Sequence, residues 1–509
     1  MAEPIKVIDL FAGPGGLGEG FSAVGPDDAP AFKIVASVEK EANAHKTLTL
    51  RAFTREFKNR ALPDEYYQYV RGEITKDCLI RKYTAEWKAA NLETLGHPVA
   101  LGQDNELIHK RIGDVLGDNP APWVLIGGPP CQAYSVAGRV RNSVLEGYVA
   151  AEDGRHFLYK EYLDIIKQFQ PSVFVMENVK GILSSSPAGQ PIFEQILEDL
   201  RNAGQGKSKY KIFSLSHKPI KTDLFGPVFH PRDFIIKAEE YGIPQARHRV
   251  ILLGIRSDVP VSEEEVLMSR SLEVNVGQVL GNMPKLRSGL SKMEDTAKNW
   301  REIAEDSIND ACALLGINSS TVLQKNLPVS RGKLFAQSKK TLSSKLPSPL
   351  RHWLIDDRLN GVIQHESRSH MNSDIARYTY VSLFGARNNR SPVISEFPAY
   401  LLPEHKNVHS GKFVDRFKAQ VKNSPSKTIT SHIAKDSHAF IHFDPRQSRG
   451  LTVREAARIQ TFPENYFFEG SRTQQYVQVG NAVPPYLAYL VAQKVCMLIQ
   501  KIKSQHNKL

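Results

Sequence analysis

The sequence predicts an α/β fold, a doubly wound, mostly parallel sheet carrying a second, smaller and irregular domain. Three observations predict it. Short apolar runs at 5–11 (IKVIDLF), 32–38 (FKIVASV), 123–128 (WVLIGG) and 172–178 (SVFVMEN) have the length and branched content of buried strands. Helix-like stretches separate them, so strand, Gly-rich turn, helix and strand follow one another from the N-terminus. After Gly254 the alternation stops, and residues 311–425 mix Ser, Pro, His and basic side chains without long periodic elements.

Taken in order, residues 5–11 open the sheet. A glycine cluster at 13–18 follows, then a helical stretch at 19–24. The second strand, 32–38, leads into a helix to about residue 50. Residues 51–108 are polar, rich in Tyr and Lys, and weakly periodic, and read as an insertion. The pattern resumes with the strand 123–128, a helix at 157–169, the strand 172–178 and a helix at 191–203. Strands near 210–216, 234–238 and 249–254 close the sheet. Residues 256–310 are acidic and helix-prone. LTVREAARIQ (451–460) reads as an amphipathic helix, and a longer one spans 484–502, where Pro484 and Pro485 suit a first turn. The expected units are 1–255 with the insertion 51–108, a second domain and hinge at 256–469, and a segment 470–509 returning to the first.

The chain has 509 residues, 41% hydrophobic and 24% charged, enough for a sizeable core and against wholesale disorder. No apolar run approaches the roughly 20 residues that span a bilayer. The N-terminus lacks a secretory pattern, so a cytoplasmic protein without membrane contact is expected. Cys78, Cys131, Cys312 and Cys496 stand far apart. Their spacing argues against a disulfide framework and a structural zinc site, and no metal is expected. The net charge of +12 is concentrated: residues 321–450 hold 21 Lys and Arg against 9 Asp and Glu, and the rest balances at 45 of each. Such a segment suits a polyanion or a plain solvated surface.

Residues 9–18 read DLFAGPGGLG. Gly13, Gly15 and Gly16 allow a tight turn and close approach to a ligand, and the following helix end favours an anionic group. Glu39 ends the second strand, where an acid usually bonds ribose hydroxyls. The spacing is not G-x-G-x-x-G, which weakens a nicotinamide reading. S-adenosylmethionine fits, with its carboxylate at the helix end and its ribose on Glu39. GGPPCQ (127–132) follows a strand directly, placing Cys131 at the carboxyl edge of the sheet, where such folds bind ligands. A thiolate there would be a nucleophile.

GGPPCQAYSVAGR (127–139), MENVKGIL (176–183), QARHRVILLG (245–254) and QVGNAVPP (478–485), with DLFAGPGGLGEGF (9–21), resemble the ordered motifs of the DNA cytosine-5 methyltransferase family. The resemblance covers roughly 1–254 and 426–490, and it implies a Rossmann-like methyltransferase fold. It implies attack of Cys131 on cytosine C6, activation of C5, and methyl transfer from S-adenosylmethionine. Glu177 would hold the N3 edge. Arg247 and Arg249, alternating on a strand and therefore on one face, would reach the cytosine O2, Glu177 and phosphate. Phe11 would pack on the adenine, Asp114 at a strand end would bond its amino group, and Asn481 would take the amino-acid end, with Pro129 also on the cofactor side. Gln132 and Ser135 would touch the target's backbone. Arg139 lies in a loop, 132–156, expected to close over a base rotated out of double-stranded DNA.

Two residues depart from the pattern: Lys40, where relatives often carry an aromatic, and Ala137, where some relatives place a polar side chain in the gap left by the flipped base. The variable region, about 256–425, would read DNA sequence, with Arg368, Arg377, Arg387, Asn388, Asn389 and Arg390 as candidates. The resemblance implies a monomer associated with the nucleoid, with a companion restriction endonuclease as the usual setting. Competing readings are a tRNA cytosine-5 methyltransferase, a DNA-binding relative without catalysis and, more distantly, a nucleotide-dependent oxidoreductase.

Overall fold

The computed structural model describes residues 3–57, 61–118, 121–130, 158–185, 192–204, 209–223, 226–259, 261–338, 341–403 and 416–506. Seven strands form the main sheet: β1 (Ile5–Leu10), β2 (Phe32–Val38), β3 (Val124–Gly127), β4 (Val173–Val179), β5 (Tyr210–Phe213), β6 (Ile235–Lys237) and β7 (His248–Arg256). Their order is β2-β1-β3-β4-β7-β5, with β6 beside one end of β7. The first four run parallel, and β7 is antiparallel to β4, β5 and β6. The chain order reverses between β1 and β3, so the crevice beyond their carboxyl ends is where such a sheet binds ligands.

Strand side chains alternate between two cores, as a sheet covered on both faces requires. Val7, Ile126, Val175 and Leu253 face one core. Ile8, Leu125, Phe174 and Leu252 face the other. The first core is closed by α1 (Gly16–Ser22) and by the terminal helix Pro485–His506, which pack tightly together. A Cβ on Gly20 would stand 2.4 Å from the Tyr489 main-chain nitrogen, so only glycine admits this approach. The second core is closed by the helices Asn105–Leu116, Leu158–Phe169 and Ile192–Arg201. Residues 472–501 are apolar enough over one window to resemble a membrane span, but 67% of that window is buried inside the protein, as suits a core helix.

Two regions differ from their expected character. Residues 51–108 are a packed helical module: after α2 (Ala42–Arg55) come Asp64–Arg71, Lys76–Lys82 and Thr84–Glu93. Its apparent polarity is that of tyrosines buried ring first, Tyr66 and Tyr67 among them. The region after residue 256 is neither irregular nor uniformly separate. Val266, Val276, Leu280, Leu350 and Leu354 join the first sheet core. A distinct core runs from Leu290 to Leu401 and adds Phe417, Ala419 and Ile441, a shorter span than 256–469. Its centre is the pair of helices Ala297–Leu315 and Asn372–Asn388. The second helix escapes a periodicity reading because buried Thr379 and Ser382 satisfy their hydroxyls on the carbonyls of Ile375 and His442.

Asp9 lies mid-strand between Ser37 and Ile126, fully buried beneath α1. Burial pushes its carboxyl from 3.8 up to about 8, against the pull of Arg55. A raised acid contributes stability that is complete below the unfolded pKa and is lost as pH rises through the folded one. The melting temperature of the wild type should therefore fall relative to that of Asp9→Asn between pH 4 and pH 8. A constant difference across that window would contradict a buried neutral acid. Gly20→Ala should lower stability by about 1–3 kcal/mol through overpacking, seen as a lower urea midpoint; an unmoved midpoint would exclude the close helix approach.

Candidate active site

The cofactor crevice is built by the turn after β1. Phe11, Gly13 and Gly15 take positive φ values of 56, 58 and 97°. At Gly15 a Cβ would also meet Leu48 Cδ1 at 3.0 Å and the Tyr466 hydroxyl at 3.1 Å. A Cβ on Gly16 would lie 2.4 Å from the Val483 carbonyl oxygen, so the turn is pressed against the segment that follows Asn481. Glu39 fixes the other wall: its Oε2 accepts from the Gly13 amide at 2.7 Å and its Oε1 from the Glu41 amide at 2.6 Å. Burial raises the Glu39 carboxyl, while those amides act in the opposite sense. Nothing stands within 4 Å of the position of a Cβ on Gly13, so the crevice is open at that point.

Asp114 does not share this crevice. It lies inside the helix Asn105–Leu116, exposed, 2.8 Å from Lys110 one turn earlier. The Gly-Asp pair that suggested a strand end falls inside a helix whose start is signalled by Asp104, whose Oδ2 accepts from the Ala100 amide. The backbone beside β2 at that level is the loop before this helix, where the Val99 amide donates to the Glu39 carbonyl at 3.0 Å. An N-capping Asp ahead of the apolar rhythm of NELIHKRI was the available signal.

The second half of the site lies between β3 and β4. Gly127 pairs with both Leu10 and Met176, and a Cβ there would stand 2.6 Å from the Leu10 carbonyl oxygen. One residue on, a Cβ on Gly128 would be 3.0 Å from Glu177 Oε2. The buried Pro129 gives its carbonyl to Asn178 Nδ2 at 3.2 Å, and Asn178 Oδ1 accepts from the Val179 amide. Asn178 thus holds backbone, as its place beside Glu177 suggests. Glu177 Oε1 meets Arg249 Nε at 2.9 Å. Arg249 stands opposite Val179 and Glu177 opposite Ile251, so the pair is diagonal on one face of the ladder. Burial pushes the Arg249 guanidinium down, and Glu177 acts in the opposite sense. Cys131, Gln132, Ser135 and Arg139, with the loop 132–156, lie outside the described residues.

Arg247 departs from its expected role. It precedes β7, in a turn where its amide donates to the Gln245 carbonyl, so the alternation that would place it beside Arg249 does not apply. Its guanidinium is buried and donates to the main-chain carbonyls of Ile429 at 2.7 Å and Gly480 at 3.3 Å. Burial, then the charge of Arg249, push it well down. The neighbouring Gln245 donates to Gln460 and accepts from the Ile429 amide, and Gln460 donates to the Val479 carbonyl. This node brings Asn481, exposed at the end of the helix Arg472–Asn481, back to the crevice. No sequence pattern distinguished such a structural arginine from one that meets substrate.

Of the candidate base readers, Arg377 is excluded by burial: it binds Asp374 and the carbonyls of Leu401 and Leu402. Arg368 lies over the Tyr476 ring, Arg390 is paired with Glu396, and Asn388 donates to the Phe384 carbonyl. Asn389 ends its helix at φ 53°, and Arg387 is exposed.

Comparison with known proteins agrees with this architecture. Residues 103–496 match the model of the C-5 cytosine-specific DNA methylase family. The chain is 31% identical over 512 residues to the type II methyltransferase M.Bpa9945I of Bacillus paralicheniformis, spanning 96% of this chain and 98% of that one. It is 26% identical to the type II methyltransferase M.AgeI of Thalassovita gelatinovora, covering 97% of this chain and all of the relative. A crystal structure described as a DNA modification methyltransferase encoded within an E. coli prophage shares the fold, with a TM-score of 0.50 at 18% identity over 97% of this chain and 99% of that one. The family match over most of the chain, on a sheet whose order suits it, shows that the protein belongs to the C-5 cytosine-specific DNA methylases and is a DNA cytosine-5 methyltransferase.

Proposed function

We propose that the methyl group comes from S-adenosylmethionine and that Cys131 is the nucleophile of the reaction. The observation that carries this reading is the division of labour at Glu177. Its Oε1 is held by Arg249, and its Oε2 turns toward Gly128, in the turn that leads into Cys131. A pyrimidine held against that turn would meet Oε2 with its N3 edge.

The crevice residues fit the donor. Glu39 accepts from the Gly13 and Glu41 amides and keeps lone pairs for ribose hydroxyls. The open space at Gly13 admits the ligand, and the half-buried Phe11 stands beside it. Pro129 and Asn481 complete the cradle, and Asp114 has no part in it. S-adenosylmethionine would supply an electrophilic methyl group on its sulfonium. The protein's own residues do the rest. A base in a duplex cannot present C6, so the target is rotated out at a cost of a few kcal/mol. The Cys131 thiolate adds to C6, and the density displaced toward N3 takes up a proton donated by the Glu177 carboxyl. C5 thereby gains the electrons that form its new bond. Water takes the C5 proton, N3 returns its proton to Glu177, and the C6–S bond breaks with its electron pair leaving on the sulfur, which restores the aromatic ring and the thiolate. Positive charge at Arg249 keeps Glu177 oriented. Gln132, Ser135 and Arg139 would grip the target strand.

The region between β7 and the helix Val453–Ile459 would read sequence, with the exposed Arg387 among its phosphate or base contacts. The type II label of the relatives supports a place beside a restriction endonuclease of the same specificity. We place the protein, as a monomer, in the cytoplasm at the nucleoid.

Cys131→Ser should abolish methylation while binding of duplex DNA stays within a few-fold of wild type. Wild type should form a denaturation-resistant adduct with duplex DNA carrying 5-fluorocytosine at the target, because fluorine cannot leave as a proton does. Bisulfite sequencing of DNA from expressing cells identifies that target, and absence of an adduct there would refute covalent catalysis. Glu177→Gln should lower kcat by about 10²–10⁴-fold with little change in DNA affinity; a loss of affinity with kcat retained would assign Glu177 to binding instead.

A further inference from the structure

The module at 51–108 lies between the catalytic sheet and the hairpin formed by strands Gly332–Gln337 and Gly361–Glu366. Its base is riveted to the β2 edge. Glu93 accepts from Ser37 Oγ at 3.1 Å and pairs with Arg55, and buried His45 and Thr49 bond to the carbonyl and hydroxyl of Thr94. Its face toward the hairpin is equally committed. Leu359 and Ile363, both 0% exposed, share a core with Leu62, Tyr66, Val70 and Phe53. The interface is therefore continuous apolar packing rather than a brush of surface side chains.

Directional contacts fix its register. Tyr67 donates to Asp356 Oδ2 at 2.8 Å, and Asn465 Nδ2 donates to the same oxygen at 2.6 Å. Arg358 reaches Asp64 at 2.6 Å, donates to the Leu62 carbonyl, and lies 4.7 Å over the Tyr67 ring. Tyr69 and Lys76 bond to Glu469, on the turn that carries Asn465 and Tyr466, and the Tyr466 hydroxyl donates to the Pro14 carbonyl of the cofactor turn. The 332–366 stretch is anchored on the first sheet core through Leu350, Leu354 and Val362, which leaves the angle of the hairpin to be set from its other side. Here a third body fills the angle.

We propose that residues 51–108 are a brace that holds the 332–366 hairpin at a set angle to the catalytic sheet, with Tyr67, Asp356 and Arg358 as positioning residues for DNA. The inference rests on the reading of that region as the DNA-recognition element. Its function is preorganisation: a recognition surface already in place spends less binding energy on ordering. Catalysis on DNA already seated does not depend on it.

The test is the double variant Tyr67→Phe/Arg358→Met in the full chain, which removes the directional contacts and keeps the apolar stems. Amide exchange at 356–366 without DNA should quicken. KM for duplex DNA should rise about tenfold with kcat at saturating DNA within twofold, and methylation at sites differing by one base pair should gain on the cognate site. Cofactor affinity should stay within twofold, and Arg358→Lys alone should stay near wild type. Unchanged exchange would show that these contacts brace nothing. Faster exchange with KM and site preference unmoved would show that the brace does not position DNA. A parallel collapse of melting temperature, kcat and cofactor binding would reduce the module to general packing, and so overturn the proposal. Arg387→Glu separately tests the recognition reading, which fails if DNA affinity is untouched.

Discussion

The site depends on a buried guanidinium held by main-chain carbonyls, with no ion pair among the described residues. Arg247 stands where the motif before β7, the strand-like stretch at 426–430 and the helix Arg472–Asn481 converge, and it binds the last two through carbonyl oxygens. Burying a guanidinium is costly unless its donors are met. The arrangement therefore forms only when segments 182 and 233 residues away come to it. Gln245 and Gln460 extend the same logic with neutral groups. Gly480 completes it: a Cβ there would stand 2.3 Å from the Ser431 nitrogen, so no other residue lets these backbones approach. Asn481 and the segment pressed on Gly16 inherit their places from this junction.

The same economy governs the basic character of the chain. Among the described residues after 320, Arg377, Arg449, Arg454 and Arg458 are buried rather than offered to solvent. Arg449 and Glu455 form a fully buried pair, as do Arg458 and Glu464, and Arg454 donates to the carbonyls of Ile363, Pro463 and Tyr466. The helix Val453–Ile459 is buried on every side. Its sequence reads as amphipathic because a neutralised arginine is indistinguishable by letter from a solvated one. Net charge by segment is therefore a poor measure of the surface offered to DNA. The exposed fraction is smaller than the composition suggests.

Glu177 and Arg249 show the converse, a pair whose geometry follows from strand register. Antiparallel pairing of β7 with β4 sets Arg249 diagonal to Glu177, and the parallel pairing of β3 with β4 brings Gly128 against the free oxygen. Glycine at 127 is demanded by the approach of the Leu10 carbonyl, and a Cβ at 128 would press on the Glu177 carboxylate. The motif is thus a consequence of three neighbouring strands meeting at one end of the sheet, and its side chains are oriented by strand register and packing.

The amino-acid sequence alone determined the core strands, the glycine turn with Glu39 opposite it, and the strand-end placement of Glu177, because short apolar runs and tight turns are local properties. It also carried the family resemblance through its ordered motifs. Tertiary structure alone decided that Asp114 lies on a helix away from the crevice, that Arg247 binds backbone, that Arg377 is interior, and that 51–108 packs against the hairpin beyond it. Each of these turns on which distant carbonyl, carboxylate or ring meets a polar side chain. That partner is chosen by long-range packing, which no local pattern encodes.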